Sequence, residues 1–146
     1  MTRQEVETTL AELLDREIAA CDPPTSDDWA FMRQKFQTDF PDEFIHFIEL
    51  MSVYAFPGEI LNVARGGRTN GNDTIAAIYD AEMQTGRWDS DLIPFYRIGN
   101  GDFFCLSAKK GKETDVFYFY HEDARIEVFS KTFEAWLKGL NAFLNG

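Results

Sequence analysis

The sequence predicts an α+β domain in which an antiparallel-rich meander sheet is covered by helices. Apolar residues recur at helical spacing through most of the first half, β-prone runs separated by turns fill the second half, and a last helical pattern closes the chain. Strands that follow helices, instead of alternating with them, favour this architecture. The 146 residues fit one domain over 1–146, with an N-terminal helix over 1–21 and a core over 25–146.

The N-terminal helix is predicted to be amphipathic. Its apolar stripe comprises Val6, Leu10, Leu13, Leu14 and Ile18, and most of its acidic residues fall on other sides. The pattern predicts that the helix stops at Cys21-Asp-Pro-Pro, because two prolines cannot continue it.

Two further helices are predicted before residue 58. Thr25-Ser-Asp-Asp28 matches a capping box and opens the second helix. Pro41 suits the first position of the third helix, which Phe56-Pro57-Gly58 is predicted to end. The sequence then predicts a short strand over 59–63, a glycine-rich loop over 64–72, and a helix from Asp73 to about Gln84 that Gly86 closes.

Four strands and a closing helix are predicted in the second half. The runs 92–98 and 103–108 flank Gly99-Asn-Gly-Asp102, and Asn-Gly between apolar runs indicates a hairpin. Pro94 lacks an N–H, which favours an edge position or a late start for the first of these strands. Runs over 115–120 and 125–129 complete the meander, and the apolar residues of the closing helix align as Phe133, Trp136, Leu137, Leu140 and Leu144.

The charge of the chain restricts its partners. Its net charge is −11, and residues 1–50 carry 12 acidic and 4 basic residues. Such a surface repels nucleic acid and anionic membranes and attracts a basic protein, although acidity can also serve solubility alone. No apolar run of about 18 residues and no signal-peptide pattern occurs, so we expect neither a membrane span nor secretion but a cytoplasmic protein.

No catalytic or cofactor motif stands out. The two histidines, His46 and His121, and the two cysteines, Cys21 and Cys105, lack the spacing of a metal site. His121 beside Glu122 and Asp123 leaves a weak metal site or an unrecognised enzyme conceivable, but a solvated turn explains the same residues. Cys105 lies in an apolar run and is predicted to be a buried, inert thiol. We therefore expect no metal, no cofactor and no catalytic residue.

The glycine-rich loop and several acidic clusters are the remaining candidates for binding. The segment Gly66-Gly-Arg-Thr-Asn-Gly71 lacks the Gly-Lys-Ser/Thr ending of a phosphate-binding loop, so a flexible loop is favoured. Acidic pairs opening helices are explained by the helix dipole, and Trp88 could pack inward instead of meeting a partner. The residues predicted to contact a protein partner are Asp27, Asp28, Trp88, Asp89, Asp91, Glu122 and Asp123.

The order of several segments resembles a known family. Trp29 and Pro41-Asp-Glu-Phe44 precede Leu92-Ile-Pro-Phe-Tyr-Arg-Ile-Gly-Asn-Gly-Asp-Phe-Phe-Cys-Leu106, which is followed by Val116-Phe-Tyr-Phe-Tyr-His-Glu-Asp123 and Ser130-Lys-Thr-Phe-Glu-Ala-Trp-Leu137. This series resembles the SUKH superfamily, the Smi/Knr-type domain of fungal cell-wall regulators and bacterial immunity proteins. The likeness is strongest over 89–140.

The resemblance implies an α+β fold and a role in protein binding without catalysis. It suggests a bacterial immunity protein that neutralises a polymorphic or contact-dependent toxin, such as a nuclease, by occluding a basic toxin domain. The alternative to an immunity protein is a regulatory scaffold that binds an endogenous protein. A small uncharacterised enzyme is the third and least favoured hypothesis. The resemblance supplies no catalytic residues.

Overall fold

Helices and strands succeed one another in the order that the sequence predicts. The computed structural model describes residues 1–16, 22–55, 60–64 and 73–140. The elements in these ranges are α1 (Arg3–Leu13), α2 (Ser26–Phe36), α3 (Asp42–Glu49), α4 (Ile75–Met83), β1 (Leu92–Arg97), β2 (Phe103–Ser107), β3 (Val116–Tyr120), β4 (Arg125–Ser130) and α5 (Phe133–Lys138), with 3-10 turns at Leu50–Ser52 and Gly111–Glu113. The predicted α+β architecture is confirmed.

The first helix is shorter than predicted. It ends at Leu13, and the backbone of Leu14 is already extended, with φ −128° and ψ 148°. Arg16 then forms an antiparallel bridge with Tyr54, and the Ala55 N–H donates to the Asp15 carbonyl over 2.8 Å. The prediction of a helix over 1–21 was therefore wrong, because pairing with a distant segment ends the helix before the prolines do.

The predicted strand over 59–63 is reduced to two single bridges. Ile60 pairs with Tyr96 and Asn62 with Thr74. The Asn62 side-chain oxygen accepts the N–H groups of Val63 and Ala64, so the chain bends there and leaves the sheet.

The third helix is also shorter than predicted: it ends at Glu49, a 3-10 turn follows at Leu50–Ser52, and Tyr54 already pairs with Arg16, so it does not continue to Phe56-Pro57-Gly58. The predicted glycine-rich loop over 64–72, apart from Ala64, and the predicted packing of Leu144 lie outside the described residues.

The four strands form an antiparallel meander in the order β1-β2-β3-β4. The predicted hairpin between β1 and β2 is present, but Gly99 and Gly101, not Asn100, take positive φ, at 102° and 100°. We call the end of the sheet formed by residues 98–102 and 121–124 the tip, and the end at Leu92 and Ser107, which pair with each other, the base.

Helices cover one face of the sheet with an aromatic core. Phe44 and Phe47 of α3 contact Phe133 edge-on, and Phe95 of β1 stacks edge-on against Trp136 of α5 at 4.9 Å between ring centroids. The buried residues of α1 join the same cluster, so α1 packs as part of the single domain. We call this face the inner face.

A second, smaller cluster lies on the opposite face. Trp88, Leu92, Phe103, Cys105 and Phe119 are buried together, with Ile78 and Tyr79 of α4 packed against them. We call this face the Trp88 face. In the part of the chain that the structure describes, no helix has the length and apolar character that crossing a membrane demands.

Candidate partner-binding surface

Asp27 and Asp28 lie side by side in the first turn of α2 but differ in accessibility. Thr25 and Asp28 form the predicted capping box: the Thr25 hydroxyl accepts the Asp28 N–H over 3.2 Å, and Asp28 Oδ2 accepts the Thr25 N–H over 2.9 Å. Asp28 is only 2% exposed, whereas Asp27 is exposed. Asp28 therefore stabilises the helix and is not accessible to a partner, and of the two residues only Asp27 remains a candidate contact.

Trp88 packs into the Trp88-face cluster instead of presenting its ring to solvent. It is 7% exposed, its ring centroid lies 4.6 Å from that of Phe119 and 5.3 Å from that of Phe103, and its indole N–H donates to the Leu92 carbonyl over 3.0 Å. Inward packing of Trp88 was one of the two alternatives that the sequence left open, and it is the one found in the structure. As with Asp28, burial removes Trp88 from the set of surface contacts.

Asp89 and Asp91 form an acidic loop at the base of the sheet. Asp89 Oδ1 accepts the Asp91 N–H over 2.9 Å, which fixes the loop, and Asp91 Oδ2 lies 3.1 Å from Lys109 Nζ. The hydrogen bond with Asp91 raises the pKa of the Lys109 ammonium. Asp89 is exposed and Asp91 is half-exposed, so this loop offers one carboxylate largely to solvent and one shared with a lysine.

Glu122 and Asp123 lie at the tip, in the turn between β3 and β4. Both are exposed, and Asp123 Oδ1 accepts the Arg125 N–H over 3.2 Å. Ala124 completes the turn in a left-handed conformation, with φ 58°. The two acidic pairs thus lie at opposite ends of the sheet, whose six-residue strand β1 alone is about 16 Å long.

A buried carboxylate, Asp102, holds the tip together. Its Oδ1 accepts the His121 N–H over 2.8 Å and lies 2.6 Å from His121 Nδ1, and its Oδ2 accepts the Tyr118 hydroxyl over 2.7 Å. Because an ionised carboxylate only accepts hydrogen bonds, the proton in the contact between the ring and Asp102 lies on His121 Nδ1. His121 thus forms its hydrogen bonds with Asp102. The hypothesis of a small enzyme had instead placed it with the neighbouring Glu122.

These hydrogen bonds decide the protonation of the cluster. Burial alone would raise the pKa of the Asp102 carboxyl, but the bonds from His121 and Tyr118 outweigh burial and hold that pKa below its ordinary value. Burial, together with the bond to Asp102, raises the pKa of the Tyr118 hydroxyl. Asp102 is therefore a carboxylate and Tyr118 a neutral phenol at physiological pH.

The close fit of the two turns explains the glycine at position 101. A Cβ at Gly101 would lie 2.9 Å from His121 Cγ and 3.0 Å from His121 Cβ. Arg87 also donates a hydrogen bond to the His121 carbonyl over 2.5 Å. The tip is thus a fixed support for Glu122 and Asp123, built from segments that are distant in sequence.

The placement of metal-ligating side chains and of the Cys105 thiol is known for the residues that the structure describes. In the ranges 1–16, 22–55, 60–64 and 73–140, no three His, Cys, Asp or Glu side chains are grouped as a metal ion would require. Cys105 is fully buried, as predicted, and burial raises the pKa of its thiol well above the ordinary value.

The strand β4 exposes apolar side chains that were not among the residues predicted to contact a partner. Among the described residues, four large apolar side chains are exposed, and three of them belong to this strand: Ile126 at 37%, Val128 at 46% and Phe129 at 47%. A signal was available in the sequence, because the last strand of a meander in chain order lies at the edge of its sheet.

Comparison with known proteins places almost the whole chain in one family. The family model described as SUKH_5, SMI1-KNR4 cell-wall, matches residues 5–141. A comparison with curated proteins found no match. The family match extends beyond the segment 89–140 on which the resemblance is strongest and includes α1.

Proposed function

The chain belongs to the SUKH_5, SMI1-KNR4 cell-wall, family, and from this membership we propose that it is an immunity-type module that binds and neutralises a protein toxin. Domains of this family are commonly immunity proteins and generally lack catalytic activity. The mechanism is occlusion: the module covers the surface with which the toxin, for example a nuclease, reaches its substrate. The module itself breaks no bond.

The accessible carboxylates carry this proposal. Asp27, Asp89, Glu122 and Asp123 are exposed on a chain with a net charge of −11. An enzyme that acts on nucleic acid presents a basic groove to phosphate, and exposed carboxylates can compete for that groove. Complementary charge of this kind speeds encounter and fixes the orientation of the bound partner. The partner is therefore a basic protein domain, and nucleic acid and membranes are not partners.

A regulatory scaffold that binds an endogenous protein is the second candidate. The family description contains the words cell-wall, which fit the cell-wall regulators that the resemblance also includes. Both candidates bind a protein and differ only in its origin, so the identity of the bound protein separates them.

Co-expression with the product of the adjacent gene tests the proposal. If that product is a toxin, the chain should restore growth of cells that express it and should co-purify with it. An Asp27→Lys/Glu122→Lys variant, changed at two exposed carboxylates, should rescue less well than an equally charged Glu12→Lys/Asp22→Lys variant, whose changes are also at exposed positions. Failure of the unmodified chain to rescue growth or to bind the toxin contradicts the immunity role.

A further inference from the structure

The two edges of the sheet are built differently. The outer side of β1 is covered by residues 60–64: Ile60 forms a bridge with Tyr96, and the Leu61 N–H donates to the Phe95 carbonyl over 2.9 Å. The strand β4 is the last in the order β1-β2-β3-β4, and residues 125–129 are all exposed. Among the residues that the structure describes, one edge of the sheet is thus covered by residues 60–64, whereas no segment pairs with the outer side of β4.

Backbone groups are available along this open edge. In an antiparallel ladder, consecutive residues of an edge strand point their N–H and C=O groups alternately toward the neighbouring strand and away from it. Residues 125–128 pair on one side with residues 117–120 of β3. Every second residue of this stretch therefore directs its backbone groups outward, where another extended segment can pair with them.

The side chains that would protect this edge are turned back onto the sheet. Natural edge strands often carry charges that repel an incoming strand. Here the Arg125 guanidinium lies 4.1 Å from the centroid of the Tyr120 ring, and Glu127 Oε2 accepts the Tyr120 hydroxyl over 3.1 Å. Both charged side chains thus lie over β3 on the inner face and leave the other face of the edge uncovered.

That other face is apolar at the edge. Ile126 pairs with Phe119 and Val128 with Phe117, so all four side chains project from the Trp88 face. Ile126 and Val128 are among the most exposed large apolar side chains of the described residues, and Phe117 is half-buried behind them. An added strand could cover this stripe with its own apolar side chains while its backbone completes the ladder.

The charges around the edge indicate the chemistry of the added strand. Within residues 122–130, Glu122 and Asp123 precede β4 and are exposed, and the Glu127 side chain is 51% exposed. Arg125 is the cation of this stretch, and its Nε lies 3.5 Å from Glu127 Oε1, so the acidic turn keeps the excess negative charge. A second copy of this chain would bring the same acidic turn and a net charge of −11 to the interface. A strand with basic residues is favoured instead.

We propose that β4 is the docking edge for an extended segment of the partner protein, which joins the sheet as a fifth strand. The segment alternates apolar residues, which cover Ile126 and Val128, with Lys or Arg residues, which face Glu127 and the acidic turn. This inference rests on the proposed function, because it takes the partner to be a protein. It adds the element that is contacted and the pattern of the contacting segment.

Lysine substitutions at the edge test the docking. Ile126→Lys/Val128→Lys places two charges on the apolar stripe without touching the core, since both side chains are exposed. Binding to the adjacent-gene product should weaken about tenfold or more. Met83→Lys/Gln84→Lys is the matched control, because it adds the same two charges at exposed positions at the end of α4, where Met83 has the same 37% exposure as Ile126. The affinity of this control should stay within about twofold.

Hydrogen exchange gives a second readout that does not depend on variants. In the complex, the amides of every second residue between Arg125 and Val128 should gain protection, as strand pairing requires. Unchanged affinity of Ile126→Lys/Val128→Lys together with unprotected β4 amides overturns the docking while leaving the immunity role intact. A dimer of the chain alone that this variant disrupts also overturns it, since the occupant is then a second copy. If the unmodified chain binds no adjacent-gene product, the proposed function fails and the docking fails with it.

Discussion

Asp102 connects the two turns at the tip of the sheet through hydrogen bonds to residues that are distant from it in sequence. Its carboxylate bonds the backbone and ring of His121 and the hydroxyl of Tyr118, and it is only 7% exposed. A buried charge is tolerated when its hydrogen bonds replace those of water, as they do here. The exposed residues Glu122 and Asp123 therefore project from a turn whose conformation is set before any partner arrives.

The lowered pKa of Asp102 makes the stability of the protein depend on pH in a defined direction. Asp102→Asn should reduce the free energy of unfolding by about 2 kcal/mol at pH 7, because it weakens charge-assisted hydrogen bonds. A carboxyl whose folded pKa is depressed contributes stability above its unfolded pKa and loses it as pH falls through the folded pKa. The difference in the free energy of unfolding between the unmodified chain and Asp102→Asn should thus become smaller as pH falls below about 4.

Urea unfolding at pH 7, 5 and 3 measures this gap. Asp123→Asn is the control, since Asp123 belongs to the same tip but is exposed, and its effect should be below about 0.5 kcal/mol at each pH. A gap for Asp102→Asn that stays constant from pH 7 to pH 3 would show that the ionised carboxylate is not the stabilising group.

At the scale of elements, the features that depend on neighbouring residues could be predicted from the sequence. The features that depend on pairing between distant segments could not. The capping box at Thr25, the hairpin at Gly99–Gly101 and the β-prone run at Val116–Tyr120 depend on neighbouring residues and are confirmed. The end of α1 depends on the bridge between Arg16 and Tyr54, which no local pattern reveals.

The candidate surface was predictable to a smaller extent for the same reason. Acidic residues can be read from the sequence, but their burial depends on what folds against them, which is why Asp28 and Asp27 differ. Likewise, the alternation of Arg125-Ile-Glu-Val128 is that of any half-buried strand. The alternation becomes informative only together with the predicted meander, which places β4 last and therefore at an edge of the sheet.

The start of α2 offers a test that separates a structural carboxylate from a binding one. Asp28→Ala should lower stability by about 1 kcal/mol, because it removes half of the capping box, which corresponds to a fall of about 3 °C in melting temperature. Asp27→Ala should change stability by less than about 0.5 kcal/mol and should slow association with a basic partner. Calorimetry and stopped-flow binding measure the two effects. An Asp28→Ala variant that is as stable as the unmodified chain but binds more slowly would reverse these roles.

At the scale of the whole molecule, charge and shape act at different stages of binding. A net charge of −11 is felt at a distance and would attract a basic partner, whereas the proposed docking edge at β4 would act only on contact. Charge should therefore govern mainly the association rate, and the apolar edge mainly the dissociation rate.

Salt separates these two contributions. The screening length falls from about 10 Å at 0.1 M to about 3 Å at 1 M salt. The rate of association with the proposed basic partner should therefore drop about tenfold or more, while the dissociation rate changes little. Glu122→Lys should reduce this salt dependence more than Glu12→Lys, although both exposed substitutions change the net charge equally. Stopped-flow association at both salt concentrations provides the measurement. An association rate that is the same at 0.1 M and 1 M salt would remove electrostatic attraction from the mechanism and leave the β4 edge as the source of binding.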